Sequence, residues 1–156
     1  MAYTRKTAKS EEAFRQLKAD VSAGTLQNAY IFYGEESYLR EYYLTEVRRK
    51  LVPSGFEEFN YHVLEGKDTT VEELTEMAES MPMMAERTLL QVTDFDIFKL
   101  PEEQRGKLIA LLEDFPPYCC LIFVYDTLEY KPNKTLKKLC AALEKHVQAV
   151  EFRVAD

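Results

Sequence analysis

Residues 29–51 read AYIFYGEESYLREYYLTEVRRKL, and this stretch decides the fold. Its first five residues form an apolar run that predicts a strand ending at Gly34. Ser37 then opens a stretch in which apolar residues recur every four positions, which is typical of an amphipathic helix. Pro53 and Gly55 indicate where that helix ends. The resulting strand–turn–helix order recurs further along the chain.

The remaining sequence continues this alternation. Ser10 precedes an apolar series at helical spacing, which predicts a helix near 10–23 capped by Ser10. Thr70 and Glu73 have the spacing of a capping box, so we expect a helix that starts at Thr70 and stops at Pro82. Further predicted helices begin at Pro101 and Pro132, and further predicted strands cover 56–64, 88–92, 119–125 and 147–154.

The run CCLIFVY at 119–125 is apolar throughout, which is typical of a strand buried on both faces. Strands that alternate with helices need crossover connections, and these produce parallel sheets. We therefore expect an α/β fold with three layers: a five-stranded parallel sheet, helices on both of its faces, and right-handed connections.

Composition excludes several functional classes. The chain has 156 residues, which suits a single domain, and 20 Lys and Arg against 27 Asp and Glu give a net charge of −7. A free-standing nucleic-acid binder needs positive faces, so that class is excluded. No apolar run reaches the ~18–20 residues of a membrane span, and the N-terminus lacks the apolar core of a secretory signal. Three cysteines, two of them adjacent, argue against a disulfide framework, and we expect a cytoplasmic protein.

The turn after the first predicted strand is where a doubly wound sheet would bind a nucleotide. A phosphate-binding loop needs several glycines, a lysine and a Ser or Thr for Mg²⁺. Here Gly34 is the single glycine, and Glu35 and Glu36 stand before Ser37 where phosphates would lie. Because like charges repel, we expect a degenerate turn that binds no nucleotide and no cofactor.

Carboxylates and histidines elsewhere form weak candidates for a metal site. Asp94 and Asp96 follow the third strand and Asp126 follows the fourth, where they would either bind Mg²⁺ or, as is more typical, form turns and helix caps. His62 and His146 lack partners at ligand spacing. We therefore expect no metal site and no catalytic residue.

Two other residue groups have ordinary interpretations. Cys119 and Cys120 lie inside an apolar run, which favours buried packing over a nucleophile. One side of the last predicted helix carries a set of lysines: Lys131, Lys134, Lys137 and Lys138. They are interpreted as a solvated face or, alternatively, as a minor contact to nucleic acid within a larger assembly.

The segment 81–87, MPMMAER, lies between a helix and a strand. Met81 continues the apolar face of the helix, so we expect it in the core, and Pro82 should stop the helix. Met83 and Met84 are consecutive, and their side chains diverge outside a helix, so at least one should reach the surface. Such a flexible thioether suits an apolar groove on a partner, although methionine also fills gaps in cores.

Three stretches, read together, resemble the N-terminal domain of the delta subunit of the bacterial DNA polymerase III clamp loader. They are 29–51 quoted above, 69–98 (TTVEELTEMAESMPMMAERTLLQVTDFDIF) and 120–152 (CLIFVYDTLEYKPNKTLKKLCAALEKHVQAVEF). The match covers nearly the whole chain, and its specificity comes from the order and spacing of the stretches.

This resemblance implies an AAA+, RecA-like core that has lost nucleotide binding, and a role in DNA replication. Members of the family bind the ring-shaped sliding clamp, the beta subunit, and open it for loading onto primed DNA. Their gripping apolar pair falls at Met83 and Met84, with Met81, Pro82 and Ala85 lining the contact. The family pair is usually bulkier and often aromatic, so two methionines are a departure.

Length is a second departure. Family members continue into a lid domain and a collar domain that holds the loader together, so we expect residues 1–156 to be the first domain of a longer protein. The resemblance implies a non-catalytic subunit of the DNA polymerase III holoenzyme, a DNA-directed DNA polymerase. The resemblance further implies that other clamp-loader subunits contact the protein through the domains absent from this chain. DNA would be contacted only indirectly, within the complex, and no membrane would be bound.

Two alternatives remain open on the residues alone. The chain would be an α/β adaptor for another protein if both Met83 and Met84 lay in the core. It would be an atypical phosphate-loop NTPase if it bound ATP through Ser37 and Arg40.

Overall fold

The computed structural model describes the backbone of residues 2–153 and the side chains of residues 9–153. Within that part, five strands form one sheet in the spatial order β2-β3-β4-β1-β5, and every neighbouring pair is parallel. The strands are β1 (Ala29–Tyr33), β2 (Tyr61–Glu65), β3 (Thr88–Thr93), β4 (Cys119–Val124) and β5 (Gln148–Glu151). The predicted five-stranded parallel sheet is thus confirmed.

Helices surround this sheet. They are α1 (Ala2–Ala23), α2 (Ser37–Leu51), α3 (Glu57–Asn60), α4 (Val71–Glu79), α5 (Glu102–Glu113) and α6 (Lys137–His146), with 3₁₀ turns at Gly66–Asp68 and Ile97–Lys99. Over residues 2–153, no helix combines the length and the apolarity that a membrane crossing requires.

Two apolar clusters cover the two faces of the sheet and make the three expected layers. One face carries Ile31, Leu121 and Phe123 and packs against α4, α5 and α6. The other carries Tyr30 and Phe32 and packs against α1 and α2. All six residues of β4 are buried, because β4 lies between β3 and β1 and is covered from both sides. The prediction of a doubly buried strand at 119–125 is therefore confirmed.

Several predicted boundaries were wrong. The first helix already starts at Ala2, so Ser10 lies inside it and does not cap it. The predicted strand 56–64 divides into the short helix α3 and β2. The helix predicted from Pro132 begins at Lys137, because Asn133 holds the preceding residues in a turn by accepting hydrogen bonds from Thr135.

The other boundaries follow their local chemistry. Thr70 caps α4 by accepting a hydrogen bond from the Glu73 N–H at 3.2 Å, as the capping box predicts. Pro101 immediately precedes α5. The last strand is shorter than expected and ends at Glu151, and the end of its predicted range, Val154, lies outside the described residues.

Candidate functional site

The turn between β1 and α2 is closed by the chain itself. Gly34 has φ +118°, in the left-handed region that side chains disfavour. A Cβ atom at this position would lie 2.3 Å from the Phe152 carbonyl oxygen, so only glycine fits. The turn therefore packs directly against the end of β5.

Backbone hydrogen bonds join this turn to β5. The Phe152 N–H donates to the Tyr33 carbonyl at 2.8 Å, and the Glu36 N–H donates to the Phe152 carbonyl at 3.0 Å. The Ser37 N–H donates to the Glu35 carbonyl at 3.1 Å. A phosphate-binding loop points such N–H groups at the ligand, whereas here protein carbonyls accept them.

A buried arginine completes the closure. The Arg40 side chain is only 2% exposed, and its guanidinium donates to the Gly34 carbonyl at 2.9 Å and to Asp126 Oδ1 at 2.6 Å. This charge-assisted pair ties α2 to the segment after β4. We call residues 34–40, with Arg40 bound to Asp126, the closed turn.

Asp94 shapes the segment that carries Asp126. Its carboxylate accepts hydrogen bonds from the N–H groups of Asp126, Thr127 and Leu128 and from the Thr127 hydroxyl. Burial alone would raise the pKa of Asp94, but these hydrogen bonds outweigh it and lower the pKa below its ordinary value. The turn-forming interpretation of Asp94 is thus confirmed, and among the described residues no group of three or more His, Cys, Asp or Glu is placed to hold a metal.

At the other edge of the sheet, the segment before β3 exposes its apolar side chains. Met81 is 71% exposed, Met83 48% and Met84 73%, while Pro82 and Ala85 are half-buried. We call residues 81–85 the methionine tip. It brings together all five residues predicted for a partner contact, and it contradicts the condition of the adaptor alternative that both Met83 and Met84 be buried.

The prediction that Met81 belongs to the core was wrong. α4 ends at Glu79, and Ser80 is extended, with φ −64° and ψ 127°. The Tyr118 hydroxyl donates to the last helical carbonyl, that of Glu79, at 2.8 Å. Because Pro82 disfavours helix at the residue before it, Met81 leaves the helical face and points away from the core that the face would have reached.

Hydrogen bonds hold the methionine tip at its central residue, Met83, and just after its end, at Arg87. The Arg87 guanidinium donates to the carbonyl of Leu26 at 2.8 Å and to that of Gln27 at 2.9 Å, which ties the tip to the segment before β1. The buried Asn60 carboxamide binds the backbone of Met83. The apolar side chains are therefore displayed on a braced segment.

Comparison with protein families identifies the chain. The model of the family described as DNA polymerase III, delta subunit, matches residues 30–153. The chain belongs to the DNA polymerase III delta subunit family.

Individual relatives agree with this assignment. This delta-family chain is 27% identical over 139 residues to DNA polymerase III subunit delta of Bacillus subtilis, an alignment that covers 83% of the chain and 38% of that relative. The chain therefore spans well under half of the length of the curated relative.

Solved structures share the fold. The Bacillus subtilis DNA clamp loader delta protein superposes with a TM-score of 0.73 at 24% identity, over 92% of this delta-family chain and 43% of that one. A gamma subunit-related protein of DNA polymerase III from Thermotoga maritima superposes with a TM-score of 0.57 at 17% identity, over 90% of this chain and 47% of that one.

The remaining candidate residues of this delta-family chain lie outside both the closed turn and the methionine tip. Cys119 and Cys120 are buried, and burial raises the pKa of their thiols to about 11 and about 12, so packing is their role. The histidines His62 and His146 are half-buried. The predicted solvated lysine face is exposed at Lys131, Lys134, Lys137 and Lys138.

Sequence reasoning missed Asn60, Arg87 and the Arg40–Asp126 pair. The partners of Asn60 and Arg40 lie 23 and 86 positions away in the sequence. A signal was available for Arg40 alone, because a cation on the apolar face of a helix needs an internal partner.

Proposed function

We propose that this chain is the clamp-binding domain of a clamp-loader delta subunit. It binds the ring-shaped sliding clamp through the methionine tip and helps to open the ring for loading onto primed DNA. Family membership and the fold shared with a clamp loader delta protein support the proposal. The observation that carries it is the exposure of Met81, Met83 and Met84 on one braced segment.

The energetics suit a small hot spot. Burying Met83 and Met84 in a preformed pocket contributes roughly 3–6 kcal/mol, at ~1.5–3 kcal/mol for each side chain. Ordering costs reduce this gain, and a braced segment keeps those costs low. Two methionines lose more rotamer freedom than two aromatic rings, so the contact is weaker than a bulkier pair would make.

Ring opening requires a preference between two states of the clamp. A subunit that bound the closed and the open ring with equal affinity would not shift the equilibrium between them, however tightly it bound. The methionine tip must therefore fit the open ring better. The mechanism is mechanical, and this domain supplies binding energy without a chemical step.

ATP control belongs to other loader subunits in this proposal. The closed turn supports a domain without ATPase activity, because the Glu36 and Ser37 N–H groups, which a triphosphate would need as donors, already donate to the carbonyls of Phe152 and Glu35. Contacts with other subunits lie in further domains of the protein, and DNA is met only within the complex, as the net charge of −7 favours.

The test is binding of the chain to its cognate sliding clamp, measured by surface plasmon resonance. We expect Met83→Ala combined with Met84→Ala to weaken binding by about 100-fold, since roughly 3 kcal/mol is lost. A matched control, Tyr38→Ala with Tyr42→Ala, removes two exposed apolar side chains on α2 and should bind like the parent. Parent-like binding by the methionine variant would show that the grip lies elsewhere.

A nucleotide titration tests the second part of the proposal. Calorimetry with Mg²⁺-ATP should show no heat of binding, and ATP should not shift the melting temperature. A binding isotherm that Arg40→Met or Ser37→Ala abolishes would overturn this part of the proposal and would favour the phosphate-loop alternative.

A further inference from the structure

Asn60 lies at the end of α3, directly before β2, and its side chain is completely buried. Few uncharged polar side chains are buried this deeply without a specific partner, because an unsatisfied amide is costly to bury. The partner of Asn60 is the backbone of the methionine tip.

Two reciprocal hydrogen bonds join the Asn60 carboxamide to Met83. The Met83 N–H donates to Asn60 Oδ1 at 2.7 Å, and Asn60 Nδ2 donates to the Met83 carbonyl at 2.6 Å. Nδ2 also donates to the Phe56 carbonyl at 3.1 Å, which fixes the orientation of the amide. A side chain must be both donor and acceptor to bind the N–H and the carbonyl of one residue in this way, and a carboxylate or an alkyl group cannot.

The next residue shows what this contact maintains. Met84 has φ +56°, in the left-handed region that non-glycine residues rarely adopt. Such a conformation persists only when the surrounding contacts determine it. Asn60 fixes the residue before Met84, and Arg87 fixes the segment after it. The bend at Met84 is therefore imposed by its two anchors.

We infer that Asn60 is a positioning residue for clamp binding: its carboxamide holds the backbone of Met83 and so sets the direction in which the two methionine side chains leave the surface. This inference rests on the proposed function. Without the Asn60 contact, the methionine tip would have to be ordered at the moment of binding, and affinity would fall.

The experiment compares Asn60→Ala and Asn60→Asp with the parent at a temperature where circular dichroism shows each to be folded. We expect clamp binding to weaken by about 10- to 100-fold, the cost of ordering one or two residues. Asn60→Asp keeps the shape and an acceptor for the Met83 N–H, but its carboxylate cannot donate to the Met83 and Phe56 carbonyls, so it should also weaken binding.

The control is Tyr125→Phe. Its hydroxyl accepts a hydrogen bond from the Ile97 N–H at 3.2 Å, at the opposite edge of the sheet from the methionine tip. This variant loses a buried hydrogen bond and some stability, and it should bind the clamp like the parent. If Tyr125→Phe weakened binding as much as Asn60→Ala, the effect of Asn60 would be general destabilisation.

Amide hydrogen exchange gives a second readout, whose first part uses the parent chain alone. In the free parent chain the Met83 N–H should already be protected, and Asn60→Ala should remove that protection while β4 amides stay protected. Free exchange at Met83 in the parent would overturn the inference even if the Asn60 variants failed to fold.

The outcomes separate the two proposals. If Met83→Ala with Met84→Ala weakens binding and Asn60→Ala does not, the positioning role is wrong and the proposed function stands. If the methionine variant binds like the parent, the proposed function itself fails.

Discussion

The two ends of the sheet in this delta-family chain have opposite characters. At the carboxyl edge, where open α/β sheets usually bind ligands, the closed turn directs its polar groups into the protein. At the amino edge, the methionine tip directs apolar groups outward. The same scaffold therefore leaves few free hydrogen-bonding groups at the edge where ligands usually bind and an exposed apolar surface at the other edge. A site is better located by asking which groups are left unsatisfied than by the position that the fold usually employs.

Gly34→Ala should give the largest effect on stability. The new Cβ would lie 2.3 Å from the Phe152 carbonyl oxygen at a residue with φ +118°, so the end of β5 must move. We expect a loss of about 3 kcal/mol or more in the free energy of unfolding, measured in urea. Gly24→Ala is the matched control, because its φ is +75° with open space around it, and it should cost about 1 kcal/mol. Equal losses would mean that the turn is not closed against β5.

Arg40→Met should follow. It removes two hydrogen bonds from a buried guanidinium and leaves Asp126, whose side chain is 51% exposed and can be hydrated. We expect a loss of about 2–3 kcal/mol in the free energy of unfolding in urea and, under the proposed function, no change in affinity for the sliding clamp. Arg49→Met, which breaks an exposed pair with Glu46, should cost less than about 0.5 kcal/mol. Weaker clamp binding by Arg40→Met would mean that the closed turn and the methionine tip are energetically coupled.

Substitutions in the methionine tip should have almost no effect on the free energy of unfolding. Because Met83 and Met84 are exposed, replacing both with alanine should change the free energy of unfolding by no more than about 0.5 kcal/mol. Leu74→Ala, at a fully buried position of α4, should cost about 2–5 kcal/mol in the same assay. A large loss of unfolding free energy in the methionine variant would mean that the methionine tip belongs to the core, and the two edges of the sheet would then not differ as described.

The smallest effect concerns α4, which runs from the carboxyl edge to the amino edge. Hydrogen bonds from Lys107 and Gln104 lower the pKa of Glu72 from 4.5 to about 2. A depressed folded-state pKa stabilises the protein above pH 4.5, and this contribution is lost as the pH falls toward 2. The parent should therefore lose stability across that window more steeply than Glu72→Gln, as followed by acid titration with circular dichroism. A slope in Glu72→Gln as steep as that of the parent would contradict this contribution.

Periodicity was enough to predict the sheet and most of its helices. The apolar run of β4 and the capping box at Thr70 are local signals, and both were confirmed. Met81 shows the limit of periodicity: its spacing matches the buried face of α4, but the helix has already ended at Glu79, and Pro82 disfavours helix at Met81 itself. A continuing pattern does not prove a continuing helix.

The features that brace the two edges could not be predicted, because they are pairings between distant residues. Asn60 lay within a predicted strand, where an asparagine signals nothing about a contact with Met83. Arg40 and Asp126 were both visible as charges, yet only the parallel pairing of β1 with β4 brings them together. Exposure of the methionines was partly predictable, since consecutive side chains outside a helix cannot share one core.

The close packing of Gly34 against Phe152 has an evolutionary consequence. A lysine inserted into the turn would not free the Glu36 N–H, which donates to the Phe152 carbonyl, and removing Arg40 would release only the Gly34 carbonyl, which cannot bind a phosphate. No single substitution would therefore turn this segment into a phosphate-binding loop.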